Sequence, residues 1–364
     1  MTTIAAVARP SQRAERIAAL DALRAIALFG VFTVNVGFVA HSSGGPADVG
    51  VDQLTTYLLH DKSRTLLSIL FGAGAALMFL RGTPISTLMR RYGVLFVVFG
   101  AVNLYYFPAD ILTHYALVGI LLMPAVGWLT RGTPARPLAL AAVFAIAEMA
   151  VRTIASGRFG FGTDILATSS NSIVLHLVLA ANQLVVGMVL QGPWTAAAFC
   201  IGVWLTRRIT QPRLGRMLAA VGGAAAVTAH LDTALLPSPP DESVAGLDPA
   251  HSLPWMAAGF GGAVCYVGLV LLLIDRSRLL RRLAPFGRLT LTAYLTSTAL
   301  AVYLNDHAPG LGLTAGFASM TLLWIAFALG APMWERHFAY GPAEWLWRRA
   351  TYGRPLPIRR SASG

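Results

Sequence analysis

An all-α, polytopic membrane bundle of about ten transmembrane helices is what this sequence predicts, and three observations predict it. The 364 residues are 56% hydrophobic and only 12% charged, where a soluble domain carries about 25% charged residues. Apolar runs close to the roughly 20 residues that a spanning helix needs recur along the whole chain. The 28 basic residues are also distributed unevenly: all but Lys62, Arg64, Arg152 and Arg158 fall on one side of the topology that those runs impose. Basic loops stay in the cytoplasm, so that side is read as the inside.

The runs are 20–39, 65–80, 92–107, 111–129, 137–154, 185–205, 214–236, 255–274, 289–304 and 313–334. Residues 173–205 are too long for one span, and Gly192-Pro193 interrupts them; proline kinks or ends a helix. Two crossings there would put Arg207, Arg208, Arg213 and Arg216 outside. One crossing keeps them inside with Arg81, Arg90, Arg91, Arg131, Arg276, Arg281, Arg348 and Arg349. One crossing is therefore expected, with 173–181 as a separate interfacial or re-entrant helix and both termini cytoplasmic. The expected outer loops hold Asp48, Asp52, Asp61, Asp164, Asp241, Glu242, Asp248 and Asp306. Residues 1–17 carry no cleavable signal pattern and read as a cytoplasmic tail. Residues 18–344 form a single transmembrane domain, and 345–364 a basic tail without structure past Pro357. All basic residues but Lys62 are arginine; that bias suggests a GC-rich genome and a bacterial inner membrane.

The net charge of +12 does not point to nucleic acid, because the arginines lie in short loops where they orient helices and meet anionic lipid. Cys200 and Cys265 lie inside apolar runs and read as core residues. No phosphate-binding glycine loop, serine-hydrolase elbow, zinc-protease motif or metal cluster appears, and no tightly bound cofactor is implied.

Three constellations stand out. In LDALRAIALFGVFTVNVGFVAH, Asp21 and Arg24 are three apart and can pair. Asn35, eleven residues beyond Arg24, shares its helix face. Either this is an ion pair plus an interhelical hydrogen bond, or Arg24 holds an anionic group such as a phosphate at a cytoplasmic entrance. In HDKSRTLLSILFGAGAALMFLR, His60, Asp61, Lys62 and Arg64 crowd the outer end of a span, with Gly72 and Gly74 deeper, where a helix or a ligand can approach closely. In FPADILTHYAL, Asp110 and His114 are one helical turn apart, the spacing of a carboxylate that orients a basic imidazole. His41, just past the first span, is a second candidate base. Glu148 and Arg152, four apart, read as an internal structural pair.

These stretches resemble the YeiB-like membrane proteins, a domain of unknown function, over nearly the whole chain. The resemblance rests on LDALRAIALFGVFTVN, DKSRTLLSILFGAGAALM, DILTHYALVGILL, FGRLTLTAYLTSTAL and GPAEWLWRRATYG, with a C-terminal motif region at about 200–352. Asp21, Arg24, Asn35, Lys62, Gly72, Asp110, Tyr115, Arg288 and Glu344 match the family pattern. Ala25 and Ala109 stand where the family usually has glycine, and Asn103 where it often has a histidine. The group is in turn distantly similar to multi-span acyltransferases, among them heparan-glucosaminide acetyltransferases and polysaccharide O-acetylases. That similarity implies acyl transfer from cytoplasmic acyl-CoA to an extracytoplasmic glycan or lipid acceptor. Arg24 and Arg288 would contact phosphates, His41 or His114 with Asp110 would act as base, and Lys62 or Arg64 would stabilise an oxyanion. Two other classes stay open: a transporter or exporter of a small or lipid-linked molecule, to which a helix broken at Gly192-Pro193 would be suited, and a non-catalytic membrane partner.

Overall fold

A computed structural model of the protein describes residues 10–37, 40, 44–105, 111–155, 173–235, 249–308, 310–353 and 356–360. Among these residues every regular element is helical. The order is α1 (Pro10–Val36), α2 (Pro46–Leu54), a π-helical turn (Thr55–Leu59), α3 (Lys62–Leu80), α4 (Ile85–Tyr105), α5 (Leu112–Leu122), a 3₁₀ turn, α6 (Val126–Arg131), α7 (Ala135–Ala155), α8 (Ile173–Arg208), α9 (Leu214–Leu235), α10 (Pro249–Leu273), α11 (Arg278–Gly287), α12 (Thr290–His307), α13 (Leu313–His337) and α14 (Pro342–Tyr352). Eight helical stretches among them are long and apolar enough to cross a membrane. The other two expected spans fall on α4 and α12. In α12 the polar content is absorbed locally: buried Ser297 and Thr298 donate back to the Tyr294 carbonyl at 2.8 and 3.1 Å.

Three expectations change. Residues 173–181 are not a separate helix. α8 runs without a break from Ile173 to Arg208 with Pro193 inside it, about 54 Å at 1.5 Å per residue and far more than the hydrocarbon thickness. The basic segment from residue 345 is not a tail either. α14 docks onto α4: the Trp347 indole donates to the Arg91 carbonyl at 3.0 Å, the Arg91 guanidinium lies 3.9 Å from the Trp347 ring, and Arg90 donates to Ala350 O. Past Pro357 the chain still pairs, with Ala339 N–H donating to Ile358 O and Arg360 N–H to His337 O.

The outer loop expected before the second span is also helical. α2 buries Asp48, and Asp48 Oδ1 accepts from the Thr314 N–H at 2.9 Å and from its hydroxyl at 2.5 Å. The carboxylate thus satisfies the first turn of α13, whose N-terminal N–H groups have no partner within their own helix. Glu344 does the same for α12. Its Oε1 accepts from Leu291 N–H (2.5 Å) and Thr292 N–H (3.0 Å), and its Oε2 from the Thr292 hydroxyl (2.6 Å). Burial holds the Glu344 carboxyl above the ordinary carboxylate range, against the pull of those hydrogen bonds. Glu344→Ala is expected to lower stability by about 1–2 kcal/mol, the scale of a lost helix cap, read as a lower melting temperature of the detergent-purified protein.

Small residues set the contact between α9 and α10. α9 and α10 meet backbone to backbone through Gly215 and Gly222 on one side and Gly261 and Gly268 on the other. A Cβ at Gly222 would come within 2.6 Å of both Cys265 N and Gly261 O. Close approach of this kind drives association where lipid removes the hydrophobic driving force. Cys265 lies at this contact, and Cys200 is buried in the core; both thiols are free. Gly222→Leu is expected to cost about 1–3 kcal/mol by overpacking, whereas Gly223→Ala, whose Cβ would sit at an ordinary 3.5 Å from Cys265 Sγ, leaves the melting temperature unchanged.

Candidate functional site

The polar groups gather at two levels. At the arginine-rich end, Asp21 pairs with Arg24 as their spacing predicts, Asp21 buried and Arg24 partly open. The Arg24 guanidinium lies against Gly74 of α3, where an added Cβ would sit 3.7 Å from its Nη2. Gly287, at the end of α11, rests on the Asp21 carbonyl so tightly that a side chain there would collide. That contact brings Arg288 beside the pair. Arg288 itself is half exposed and grips Glu335 with two bonds, 2.6 and 2.7 Å. Its partner lies 47 residues on, which no sequence spacing reveals. Because α1 is one continuous helix, Asn35 lies on the face of Arg24, three turns deeper. Asn35 is 4% exposed, and among the described residues its Nδ2 has no hydrogen-bond partner.

At the opposite end the chain breaks sharply between the π-helical turn and α3. Asp61 sits there at φ 56°, ψ −33°, a backbone region that L-residues rarely adopt. Lys62 N–H donates to His60 O at 2.5 Å, and Thr65 caps back onto the Asp61 carbonyl through its N–H (2.8 Å) and hydroxyl (2.6 Å). The Asp61 carboxylate bridges His60 Nδ1 at 2.8 Å and Arg64 Nη2 at 2.9 Å. Three neighbouring helices hold the break. Tyr115 of α5 donates to Arg64 O (2.8 Å), Trp194 of α8 to the Thr65 hydroxyl (2.8 Å), and Tyr266 of α10 to Leu58 O (2.5 Å). Lys62 is buried, its stem against Gly262 and its Nζ donating to Thr56 O at 3.2 Å. Arg64 lies 5.2 Å from the Trp194 ring, and its Nε is buried without a partner among the described residues.

Glu148 and Arg152 form the expected internal pair, at 2.7–2.8 Å. Their purpose is local. Glu148 Oε2 accepts from the Trp194 N–H (3.2 Å) and Arg152 Nη2 donates to the Leu190 carbonyl (3.4 Å). Those two backbone groups would pair with each other in a regular helix, next to Pro193, which lacks an N–H. Arg152 also covers the Trp255 ring at 4.3 Å.

Of the residues singled out from sequence, Asp21, Arg24 and Arg288 share one end, and Lys62 and Arg64 the other. Gly72 packs on the α8 backbone at Phe199, so it is a helix-contact glycine rather than part of a ligand path. His114 is buried, with its ring against Gly187 of α8. His41, Asp110, Ala109, Arg158, Asp164, Asp241, Glu242, Asp248 and the Asn103 side chain lie outside the described residues. Sequence reasoning missed Trp194 and Glu335. A tryptophan directly after the intrahelical proline was the available signal for the first.

Residues 202–354 match a family described as "Protein of unknown function (DUF418)". An uncharacterized 39.9 kDa protein in the amylase 3' region of Bacillus acidopullulyticus is 26% identical over 94% of this chain and 96% of its own length. The uncharacterized protein YeiB of Escherichia coli (strain K12) is 26% identical, covering 93% and 96%. Over nearly its whole length this chain is similar to YeiB-like proteins. YxaH of Bacillus subtilis (strain 168), also uncharacterized, is 24% identical over 97% of the chain and 98% of its own. The aligned stretches cover 93–97% of the chain, and the family model covers its C-terminal part from residue 202.

The strained break gives a direct test. Asp61→Gly relieves the positive φ while losing the bonds to His60 and Arg64; Asp61→Ala loses the same bonds and keeps the strain. Asp61→Gly is therefore expected to be the more stable of the two by about 1 kcal/mol, measured by thermal unfolding in detergent.

Proposed function

We propose that this YeiB-like chain is a membrane-embedded acyltransferase, moving an acyl group from cytoplasmic acyl-CoA to a hydroxyl or amine of a cell-envelope glycan or lipid outside an inner membrane. The observation that carries the reading is Asn35: a buried amide whose Nδ2 has no hydrogen-bond partner among the described residues, on the Arg24 face of α1. An unpaired buried amide costs free energy unless a ligand supplies its partner. A thioester carbonyl would do so, with the phosphates of its carrier held by Arg24 and Arg288 at the arginine-rich end. Arg288 would exchange one anion, Glu335, for another.

In this reading the acceptor oxygen or nitrogen attacks the thioester carbonyl. The new ester or amide bond forms, the C–S bond breaks, and the acceptor's proton passes through His41 or His114 to the departing thiolate. Asp110 orients the histidine. Lys62 or Arg64 stabilises the oxyanion, a contribution of about 10²–10³ in rate. The exporter alternative drew on a helix broken at Gly192-Pro193, and α8 is continuous there.

Acyl-CoA binding and acyl transfer to envelope acceptors, measured on the purified protein in nanodiscs, test the reading. Arg24→Gln is expected to weaken acyl-CoA binding. Lys62→Met is expected to leave binding intact and reduce transfer by about 100-fold. Absence of both binding and transfer in the unmodified protein would overturn it.

A further inference from the structure

We infer that the groove between α12, α13 and α14 holds one acyl chain of an anionic phospholipid, with the headgroup at Arg288. The inference does not require the acyl-transfer reading, although both bring a phosphate to Arg288, and lipid retention without any acyl-CoA tests it separately. The groove encloses about 320 Å³ and is lined almost wholly by apolar side chains, among them Leu289, Phe327, Gly330, Trp334 and Pro342, with Thr292 the polar exception. It opens on the outer face of α13, where Leu322, Leu329 and Met333 are each about two-thirds exposed. In a chain with eight membrane-length apolar helices that face meets lipid tails, so the groove is continuous with hydrocarbon.

Two observations select the occupant. The first is charge. Arg288 and Glu335 are the chain neighbours of the lining residues Leu289 and Trp334, and their two-bond pair stands at the arginine-rich mouth. Arg288 is half exposed, Arg336 and Arg360 are exposed, and Arg360 lies within electrostatic reach of Glu335. The Arg288 fork faces Glu335 through Nε and Nη2, and a phosphodiester would take that fork in exchange, since guanidinium forks suit phosphates. Trp334 stacks on Phe338 at 4.3 Å and donates to Tyr340 O at 3.0 Å, the placement of an aromatic at headgroup level. The second is Gly330. It sits mid-helix, where glycine costs about 1 kcal/mol relative to alanine, yet a Cβ there would touch nothing within 4 Å. Among the described residues no protein contact requires this glycine; a chain lying in the groove would.

Native mass spectrometry of the detergent-purified protein, loaded with phosphatidylglycerol or phosphatidylcholine, tests the inference. One phosphatidylglycerol per chain is expected to survive conditions that strip phosphatidylcholine. Gly330→Phe projects a ring from a position whose Cβ would stand in open space and is expected to lower that occupancy about tenfold at an unchanged melting temperature. Arg288→Gln is expected to lose the preference between the two lipids. Equal retention of both lipids by the unmodified protein, or full phosphatidylglycerol retention in a folded Gly330→Phe protein, would overturn it. Should Gly330→Phe fail to fold, phosphatidylglycerol with a diazirine on its acyl chain decides on the unmodified protein. Label concentrated on residues 323–334 supports the site; label spread evenly over the exposed faces of α7, α9 and α13 refutes it.

Discussion

Backbone polar groups have no water to bond in hydrocarbon, and each one left bare costs several kcal/mol. Regular helices satisfy this requirement along their length but not at their starts or at a proline. The fold depends on how those places are covered, and buried acids cover three of them. Among the described residues the buried acids are Asp21, Asp48, Asp61, Glu148 and Glu344. Asp48 closes the start of α13, Glu344 the start of α12, and Glu148 the N–H beside Pro193 in α8. A buried carboxylate is expensive unless hydrogen-bonded, and here the backbone's unmet donors and the carboxylate's unmet acceptors remove each other's cost.

Asp61 and Asp21 are used differently. Their side chains serve cations: His60 and Arg64 in one case, Arg24 in the other. These carboxylates pair with charged side chains at the two ends of the bundle rather than pinning a helix start. The break at Asp61 is braced by α5, α8 and α10, so Lys62 and Arg64 are held on a rigid frame in the way a preorganised site requires. Glu148 and Arg152 belong to that bracing, since Trp194, which they position, reaches Thr65 and Arg64. The structural and the candidate chemical residues are thus neighbours in one network.

Much of this was legible in the sequence where the information is local. Hydropathy located the apolar helices, eight of them among the described residues long and apolar enough to cross a membrane, and the arginine bias favoured one helix through 185–205, which α8 contains. Helical spacing predicted both Asp21–Arg24 and Glu148–Arg152. The failures share a physical cause: the deciding partner is distant in the chain. Asp48 in a Pro-Ala-Asp stretch looked like a loop acid because its partner, Thr314, is 266 residues away. α14 looked like a basic tail because its anchor is on α4, and Glu344 finds its partners in α12. Pro193 looked like a break because the pair that makes a proline tolerable there comes from α7.

That last point offers the sharpest test. If Glu148 and Arg152 exist to satisfy the backbone opened beside Pro193, they become less important once the helix can close. The measurement is a double-mutant cycle on unfolding in detergent, combining the paired substitution Glu148→Met, Arg152→Met with Pro193→Ala. A coupling of at least about 1 kcal/mol is expected, with the paired substitution costing less in the alanine background. Equal costs in both backgrounds would contradict the account.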